Sequence, residues 1–547
     1  MLDESNIPTV LRKKLPSNLE KIKNGTYNRD DFDYPVHLYL KENDIRIDEE
    51  GSDIIPFLRG KSVLITGATG FLGKLLIEKL IRCCKDIGTI YVIIRSKKGK
   101  DIQQRINEFL DNWVFIKLSE IYPDYKNKVV GISGDFDEDG IGLTEESKKL
   151  IADKVNIIYH VAATVRFDEK IKKAVTVNIK GTQEMIKIAK SCKNLIVFVY
   201  ISSAFANCHL KTVGERFYEP VMNPDDLINL VDNCSDDILD KITPELLGTM
   251  PNTYAFTKQI AEEIVRRECV GITACIQRPS VVISSVKEPI RSWTDNLFGP
   301  VGLIEGIAMG LVHVQIGNIS GRADLVPVDY VINNSIAAAY KTAKDGLKTE
   351  PQIFNFTCHS NNRLVWNDLH VCANQGVKVG SNLVLWKHFN FMSKFYNFIS
   401  ESLGRKPILR KAYKKIDKFC NVLAYFTLNE WTFEYNNTAT LWKNLNDKDK
   451  INFPFDMENL DWKIYFDTYI VAMREFLLNE FLDNLEQGRA HLKRITILHY
   501  ALVSLIIGLS YYFCFKSVFV FIPLSITLLI LIFTYGNKIR SPEICNK

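Results

Sequence analysis

The segment "SVLITGATGFLGKLLIEKL", residues 62–80, runs an unbroken apolar strand into three closely spaced glycines and straight on into a helix-length apolar stripe. A strand without polar alternation is buried on both faces, so it belongs inside a sheet that is covered on both sides. Five more runs of this kind follow at helix-length intervals: "IYVIIR" (90–95), "KVVGISGD" (128–135), "VNIIYHVAA" (155–163), "LIVFVYISS" (195–203) and "ACIQRPSVVI" (274–283). The alternation predicts an α/β domain built on a doubly wound parallel sheet.

Gly67, Gly70 and Gly73 sit between the first strand and the first helix. Glycines there permit a tight turn and close backbone approach, while the helix N-terminus offers free N–H groups to a pyrophosphate. This is a Rossmann-type dinucleotide site. An NAD-preferring site would end its second strand on Asp or Glu; this chain offers Arg95, followed by Ser96, Lys97 and Lys98, which suits the 2′-phosphate of NADPH. After the third strand, "GDF" places Asp135 and Phe136 where an adenine edge could be read, and after the fourth, small Ala162 and Ala163 line the cofactor path.

A chain of 547 residues is long enough for about two or three domains. The net charge of +5 is small and both signs are interspersed, which argues against a nucleic-acid binder. Twelve cysteines without CxxC pairs point to a reduced, cytosol-facing protein and to no metal site. Residues 1–58 read as a polar extension without a signal peptide's apolar core. The sheet domain is expected over 59–355 and a second, mainly helical domain over 360–485, with basic residues concentrated at 404–420. From Ile495 to Tyr535 the chain is almost wholly apolar, broken by Lys516 and Pro523. Two membrane segments, 495–515 and 517–535, are the first reading; one tilted span, a re-entrant hairpin and a buried helix pair are the alternatives. Arg489, Lys493 and Arg494 before the run, and Lys538 and Arg540 after it, suit a hairpin with both ends in the cytosol.

Tyr254 and Lys258 stand four residues apart in "PNTYAFTK". On a helix that spacing puts both on one face, so they could address one substrate atom together. Tyr122/Lys126, Tyr340/Lys344 and Tyr512/Lys516 share the spacing, so context must separate them. Tyr254/Lys258 alone follows the glycine loop and a strand ending in Ser202 and Ser203, and precedes a strand carrying "RPSVV".

Taken in order, "TGATGFLG", "HVAATVRFDE", "YISSAFANC", "PNTYAFTK" and "IQRPSVV" resemble the extended short-chain dehydrogenase/reductases, and the chain from about Gly60 to Leu478 resembles the fatty acyl-CoA reductases. "SWTDNLFGPVGLIEG" and "DLVPVDYV" belong to the match, and "LNEWTFEYNN" and "LDWKIYFDTYI" look like that family's C-terminal domain. The resemblance implies Ser203, Tyr254 and Lys258 as the catalytic set. It places Thr69, Phe71 and Leu72 beside the three glycines against the cofactor, and Pro279 and Val282 beside the nicotinamide. Asn178, in "VNIKGT", either supports a relay or serves as a capping or packing residue.

A phenol can protonate a carbonyl oxygen as hydride arrives, and Lys258 is expected to lower the phenol's pKa and hold the nicotinamide ribose. Ser203 would complete an oxyanion site, with Ser202 as substitute. The implied reaction reduces a long-chain acyl-CoA through an aldehyde to a primary alcohol, with two NADPH and release of CoA. Implied partners are the acyl-CoA and membrane lipid, and a homo-oligomer is compatible with the sequence. Anchoring in the endoplasmic reticulum or peroxisomal membrane is expected, with the catalytic domain facing the cytosol. A reductase of a sterol or a carrier-bound thioester, and a membrane-anchored NADPH-binding scaffold without turnover, are the alternatives.

Overall fold

Seven apolar runs assemble into one parallel sheet in the computed structural model, which describes residues 47–96, 101–309, 312, 315–379, 409–478 and 485–514. In chain order the strands are β1 (Val63–Thr66), β2 (Ile90–Ile94), β3 (Val129–Ser133), β4 (Ile157–His160), β5 (Val197–Ile201), β6 (Thr212–Val213), β7 (Ala274–Pro279), β8 (Val281–Ile283), β9 (Leu325–Pro327), β10 (Gln352–Phe356) and β11 (Thr432–Phe433). The sheet runs β3-β2-β1-β4-β5-β7-β10, so the chain winds outward from β1 one way and then restarts beside it with β4. Leu64 stands opposite both Tyr91 and Ile158 in this register. Inner strands β1, β2, β4 and β5 are buried at every residue, whereas edge strand β3 is exposed at Val130 and Ser133.

Successive side chains of one strand enter different cores. Val63 and Ile65 join the layer formed with the helices Phe71–Cys83 and Val328–Asp345, and Leu64 joins the layer formed with Gly181–Ser191 and Thr253–Glu268. The run "ACIQRPSVVI" is two strands instead of one. Proline brings no N–H to the ladder, and past it Ser280 N donates to Phe356 O while Val281 N turns to Asp324 O. Val281–Ile283 then pairs with β9 in a separate two-stranded sheet.

Two stretches outside the expected sheet domain pack with it. Ile54, Ile55 and Leu58, inside the supposed polar extension, form a buried helix in the first core. Residues Asn421–Leu477, expected in a separate helical domain, belong to the sheet's own compact unit. Their β11 pairs with β6, and their Phe453, Phe455, Met457 and Leu460 fill the first core. The apolar periodicity of both stretches is that of an amphipathic surface segment, and it does not specify which surface receives it.

A second unit comprises Gly302–Gln315, Asn367–Cys420 and the chain from Leu478. Within it the helix Leu485–Cys514 carries many exposed apolar side chains, among them Ile497, Leu505 and Leu509. Its Glu486–Leu509 stretch is long and apolar enough to cross a membrane. It covers most of the first expected segment; the second, 517–535, lies outside the described residues, as do Lys97, Lys98 and residues 404–408.

Candidate active site at the carboxyl edge of the sheet

The order of the strands reverses between β1 and β4, and a doubly wound sheet presents its ligand crevice at such a point. The glycine loop leaves β1 there. Gly67 has φ +67°, and a Cβ on it would stand 2.8 Å from Ala162 N and 2.9 Å from Ala162 Cα. Gly73 is tighter, since its Cβ would lie 2.4 Å from Gly67 O. The loop is therefore folded against itself and against the segment after β4. Gly70 caps the helix Phe71–Cys83 in extended backbone, with Thr69 and Gly70 exposed and Phe71 and Leu72 half-buried. Phe71 stacks on Trp293 at 5.5 Å, and Lys74 pairs with Asp295, so the loop around residue 293 steadies the helix mouth. This cradle fits a dinucleotide's pyrophosphate, because any side chain at Gly67 or Gly73 would close it.

A relay of buried polar groups clamps β4 to β1. Thr66 Oγ1 accepts the N–H groups of Val161 and Ala162 at 3.1 and 3.0 Å and lies 2.8 Å from His160 Nδ1. Thr182 gives its one proton to Asn178 O, so it accepts from His160 Nε2–H at 3.0 Å, and Thr66 donates to Nδ1. Burial, with Lys258 nearby, pushes His160 down to about 3 and keeps it neutral. Among the described residues this histidine was missed in the sequence, where "YHVAA" shows only a polar residue ending an apolar strand.

Asn178 sits in a π turn, Thr176–Lys180. Its Oδ1 accepts Thr164 N at 2.9 Å, and its Nδ2 donates to Thr164 O at 3.2 Å and to Thr257 Oγ1 at 2.9 Å. Its amide is thus spent on joining the segment after β4 to the helix that carries Tyr254. Ala163 stays half-buried on that segment.

Thr253–Glu268 starts where Asn252 caps Ala255 N, which fixes Tyr254 in its first turn and Lys258 one turn on. Lys258 Nζ donates to Ile201 O at 2.7 Å and to Tyr200 OH at 3.3 Å. Burial lowers its pKa to about 7, with Glu262 opposing. Ser203, just past β5, caps the turn Ala204–Asn207 by accepting Phe205 N at 3.2 Å. Burial pushes Tyr254 up to about 12, and hydrogen bonding with Ser203 draws it back. The expectation that Lys258 depresses Tyr254 is corrected: the ammonium is turned to Ile201 and Tyr200, and Ser203 is the group acting on the phenol.

Ser202 is not interchangeable with Ser203. Its hydroxyl donates to Glu262 Oε1 at 2.5 Å inside the protein. Arg95 is also more committed than its sequence context suggested, pairing with Asp135 at 2.8 Å and Asp137 at 2.9 Å. Asp135 thereby orients Arg95. Phe136 stacks on His160 at 5.8 Å and lies against Gly181. Pro279 is buried at the end of β7, and Val282 is half-buried on β8.

A family model of NAD-binding type, described as male sterility protein, matches residues 65–335, and the Sterile model, also described as male sterility protein, matches 389–480. The chain is 35% identical over 476 residues to fatty acyl-CoA reductase wat of Drosophila melanogaster, covering 83% of this chain and 91% of that one. It is 35% identical over 470 residues to human fatty acyl-CoA reductase 1, covering 82% and 91%. Among solved structures, the terminal R domain of the myxalamid PKS-NRPS pathway superposes with a TM-score of 0.53 at 18% identity, over 79% of this chain and 96% of that one. A non-ribosomal peptide synthetase reductase domain from Mycobacterium tuberculosis gives 0.51 at 15% identity, over 80% and 95%. These two show the shared fold.

Proposed function

The chain belongs to the fatty acyl-CoA reductase family, and on that premise we propose how its residues divide the work of reducing an acyl-CoA to a primary alcohol. The observation that carries the reading is that the carboxyl edge of the sheet bearing the glycine cradle also gathers Ser203, just past β5, and the helix of Tyr254 and Lys258, whose Lys258 Nζ donates to Ile201 O at the end of β5 at 2.7 Å.

Gly67, Gly70, Gly73 and the mouth of the Phe71–Cys83 helix hold the pyrophosphate of a nicotinamide dinucleotide, and Lys258 holds the adjoining ribose. When bound, the reduced nicotinamide supplies hydride to the acyl carbonyl and then to the aldehyde. Arg95 reads the 2′-phosphate, which makes NADPH the preferred form. Its two surface ion pairs are each worth little, so turning to a phosphate costs little.

As negative charge builds on the thioester oxygen, Ser203 donates a hydrogen bond to it and Tyr254 delivers its proton. A phenol held at about 12 is fully protonated at neutral pH and ready to donate. The hemithioacetal collapses when Tyr254 takes the proton back from its hydroxyl and CoA leaves as thiolate. In the second reduction Tyr254 protonates the aldehyde oxygen, the alcohol departs, and the phenolate takes a proton from solvent. Direct attack of hydride on the thioester needs no cysteine nucleophile. The substrates are long-chain acyl-CoAs, and the helix Leu485–Cys514, long and apolar enough to span, anchors the enzyme in a membrane. Arg489, Lys493 and Arg494 before the apolar run favour the cytosol for the chain that precedes it.

Incubation with hexadecanoyl-CoA and NADPH tests the reading. Hexadecanol with free CoA is the expected product, at two NADPH consumed per alcohol; NADPH consumed without aldehyde or alcohol would overturn it. Tyr254→Phe is expected to abolish turnover while leaving NADPH bound.

A further inference from the structure

Beside the proton donor the chain builds an aromatic wall that the reaction chemistry does not use. Phe167, in the loop after β4, stacks on Tyr254 at 5.9 Å between ring centroids. Its other neighbour is Phe426, at 5.3 Å. Phe426 in turn meets the edge of Phe205 at 5.3 Å, and Phe205 stands two residues past Ser203. Trp431 closes the group at 5.2 Å from Phe205.

The wall draws on both halves of the family match. Phe167 and Phe205 come from the nucleotide-binding half; Phe426 and Trp431 come from the C-terminal one. The second pair is pinned in place, because Tyr425 OH and Trp431 Nε1 both donate to Cys208 O, at 3.1 and 2.8 Å. Strand β11 then pairs with β6 directly after that anchor.

The wall is not closed off as an ordinary core would be. Phe205, Phe426 and Trp431 are buried, but Phe167 is half-buried and Val165, two residues earlier on the same loop, is 45% exposed. Apolar surface thus remains open next to the reacting groups. The glycine loop follows β1, while Phe167 and Phe205 follow β4 and β5, on the other side of the switch point. A substrate whose carbonyl oxygen is held by Ser203 and Tyr254 lies beside Phe167, the ring stacked on Tyr254.

We propose that Phe167, backed by Phe426, is the first wall of the acyl-chain subsite, and that the C-terminal segment Tyr425–Trp431 selects for long chains by holding that wall beside Tyr254. The proposal rests on Ser203 and Tyr254 being the reducing centre. Each methylene laid on the wall leaves water, so a long chain gains from it and a short one hardly does.

The test compares kcat/KM for hexadecanoyl-CoA and acetyl-CoA, whose single methyl carbon is too short to lie along the wall, together with the Kd for NADPH, in the full chain and in Phe167→Ala, Phe167→Leu and Tyr254→Phe. Phe167→Ala is expected to cut the long-to-short ratio by about tenfold and Phe167→Leu by about threefold, with NADPH affinity unchanged. An unchanged ratio, or equal loss on both substrates, overturns the proposal. If Phe167→Ala does not fold, as loss of NADPH binding would report, the Phe167→Leu ratio decides by the same criterion. Tyr254→Phe should be inactive on both substrates. If it keeps wild-type activity, the reducing centre is misassigned, whatever the Phe167 variants do.

Discussion

Arg278 forks onto Glu262 in the interior, with Nε 2.8 Å from Oε1 and Nη2 2.7 Å from Oε2. Glu262 lies one turn beyond Lys258 on the catalytic helix, and Arg278 lies on β7, so the pair bolts that helix to the sheet. Arg278 further donates to Gly214 O and Arg216 O, which leaves the guanidinium well satisfied. Arg278→Met would strand the Glu262 carboxylate in the interior, at a cost of about 3–5 kcal/mol. Denaturant unfolding of Arg278→Met and of Arg278→Met/Glu262→Met checks this. The double variant should recover part of the loss, because the carboxylate no longer stays buried without its guanidinium.

The same carboxylate separates the two serines. Ser202→Ala removes a donor to Glu262 and should lower stability by about 1–3 kcal/mol with kcat nearly intact. Ser203→Ala should lower kcat by about 100-fold and, through the lost cap on Phe205 N, stability by about 1 kcal/mol, and Ser203→Thr should restore most of both. Melting curves beside steady-state rates distinguish the two patterns.

Gly73 and Gly60 offer a contrast in what a methyl group costs. A Cβ on Gly60 meets nothing within 4 Å, so Gly60→Ala is strained only through its φ of +69°, by about 1–2 kcal/mol. A Cβ on Gly73 runs into Gly67 O and Ala68 Cα, both main-chain atoms of the cradle. Gly73→Ala is expected to lose measurable NADPH binding, and Gly60→Ala to keep it. Fluorescence titration with NADPH is the readout.

Arg95 is expected to decide between the two dinucleotides. Arg95→Ser should raise the Kd for NADPH by about tenfold and leave that for NADH nearly unchanged. Asp135→Asn, which removes one of its carboxylate partners, should strengthen NADPH binding slightly. Parallel titrations with both cofactors measure each effect.

What the sequence made legible was whatever local chemistry imposes. Gly67 and Gly73 can be read because no other residue fits that turn, and β1, β2, β4 and β5 because burial on both faces removes alternation. Tyr254 and Lys258 follow from helix spacing once Asn252 starts the helix. Partnerships across the chain left no such mark. Arg278 and Glu262 are both ordinary charged residues until the fold joins β7 to the catalytic helix. Phe426 looked like part of a second domain because aromatic helix segments say only that some apolar surface receives them. Ser202 and Ser203 are equivalent in "YISSAF", and only the direction of each side chain tells them apart.

Lys258 titrates within the physiological range, and this gives cofactor binding a pH signature. Burial lowers the ammonium's pKa from 10.5 to about 7, so in the free protein it is mostly neutral at pH 8 and charged at pH 6. Donation to ribose hydroxyls and proximity to a pyrophosphate favour the charged form in the complex. Binding at pH 8 must therefore draw a proton from solvent, and binding at pH 6 must not. The uptake should approach about one proton per cofactor at pH 8. Calorimetry in two buffers of different ionisation enthalpy measures it directly. Lys258→Met should abolish the uptake and weaken NADPH more at pH 6 than at pH 8, since only the charged lysine contributes before the cofactor arrives.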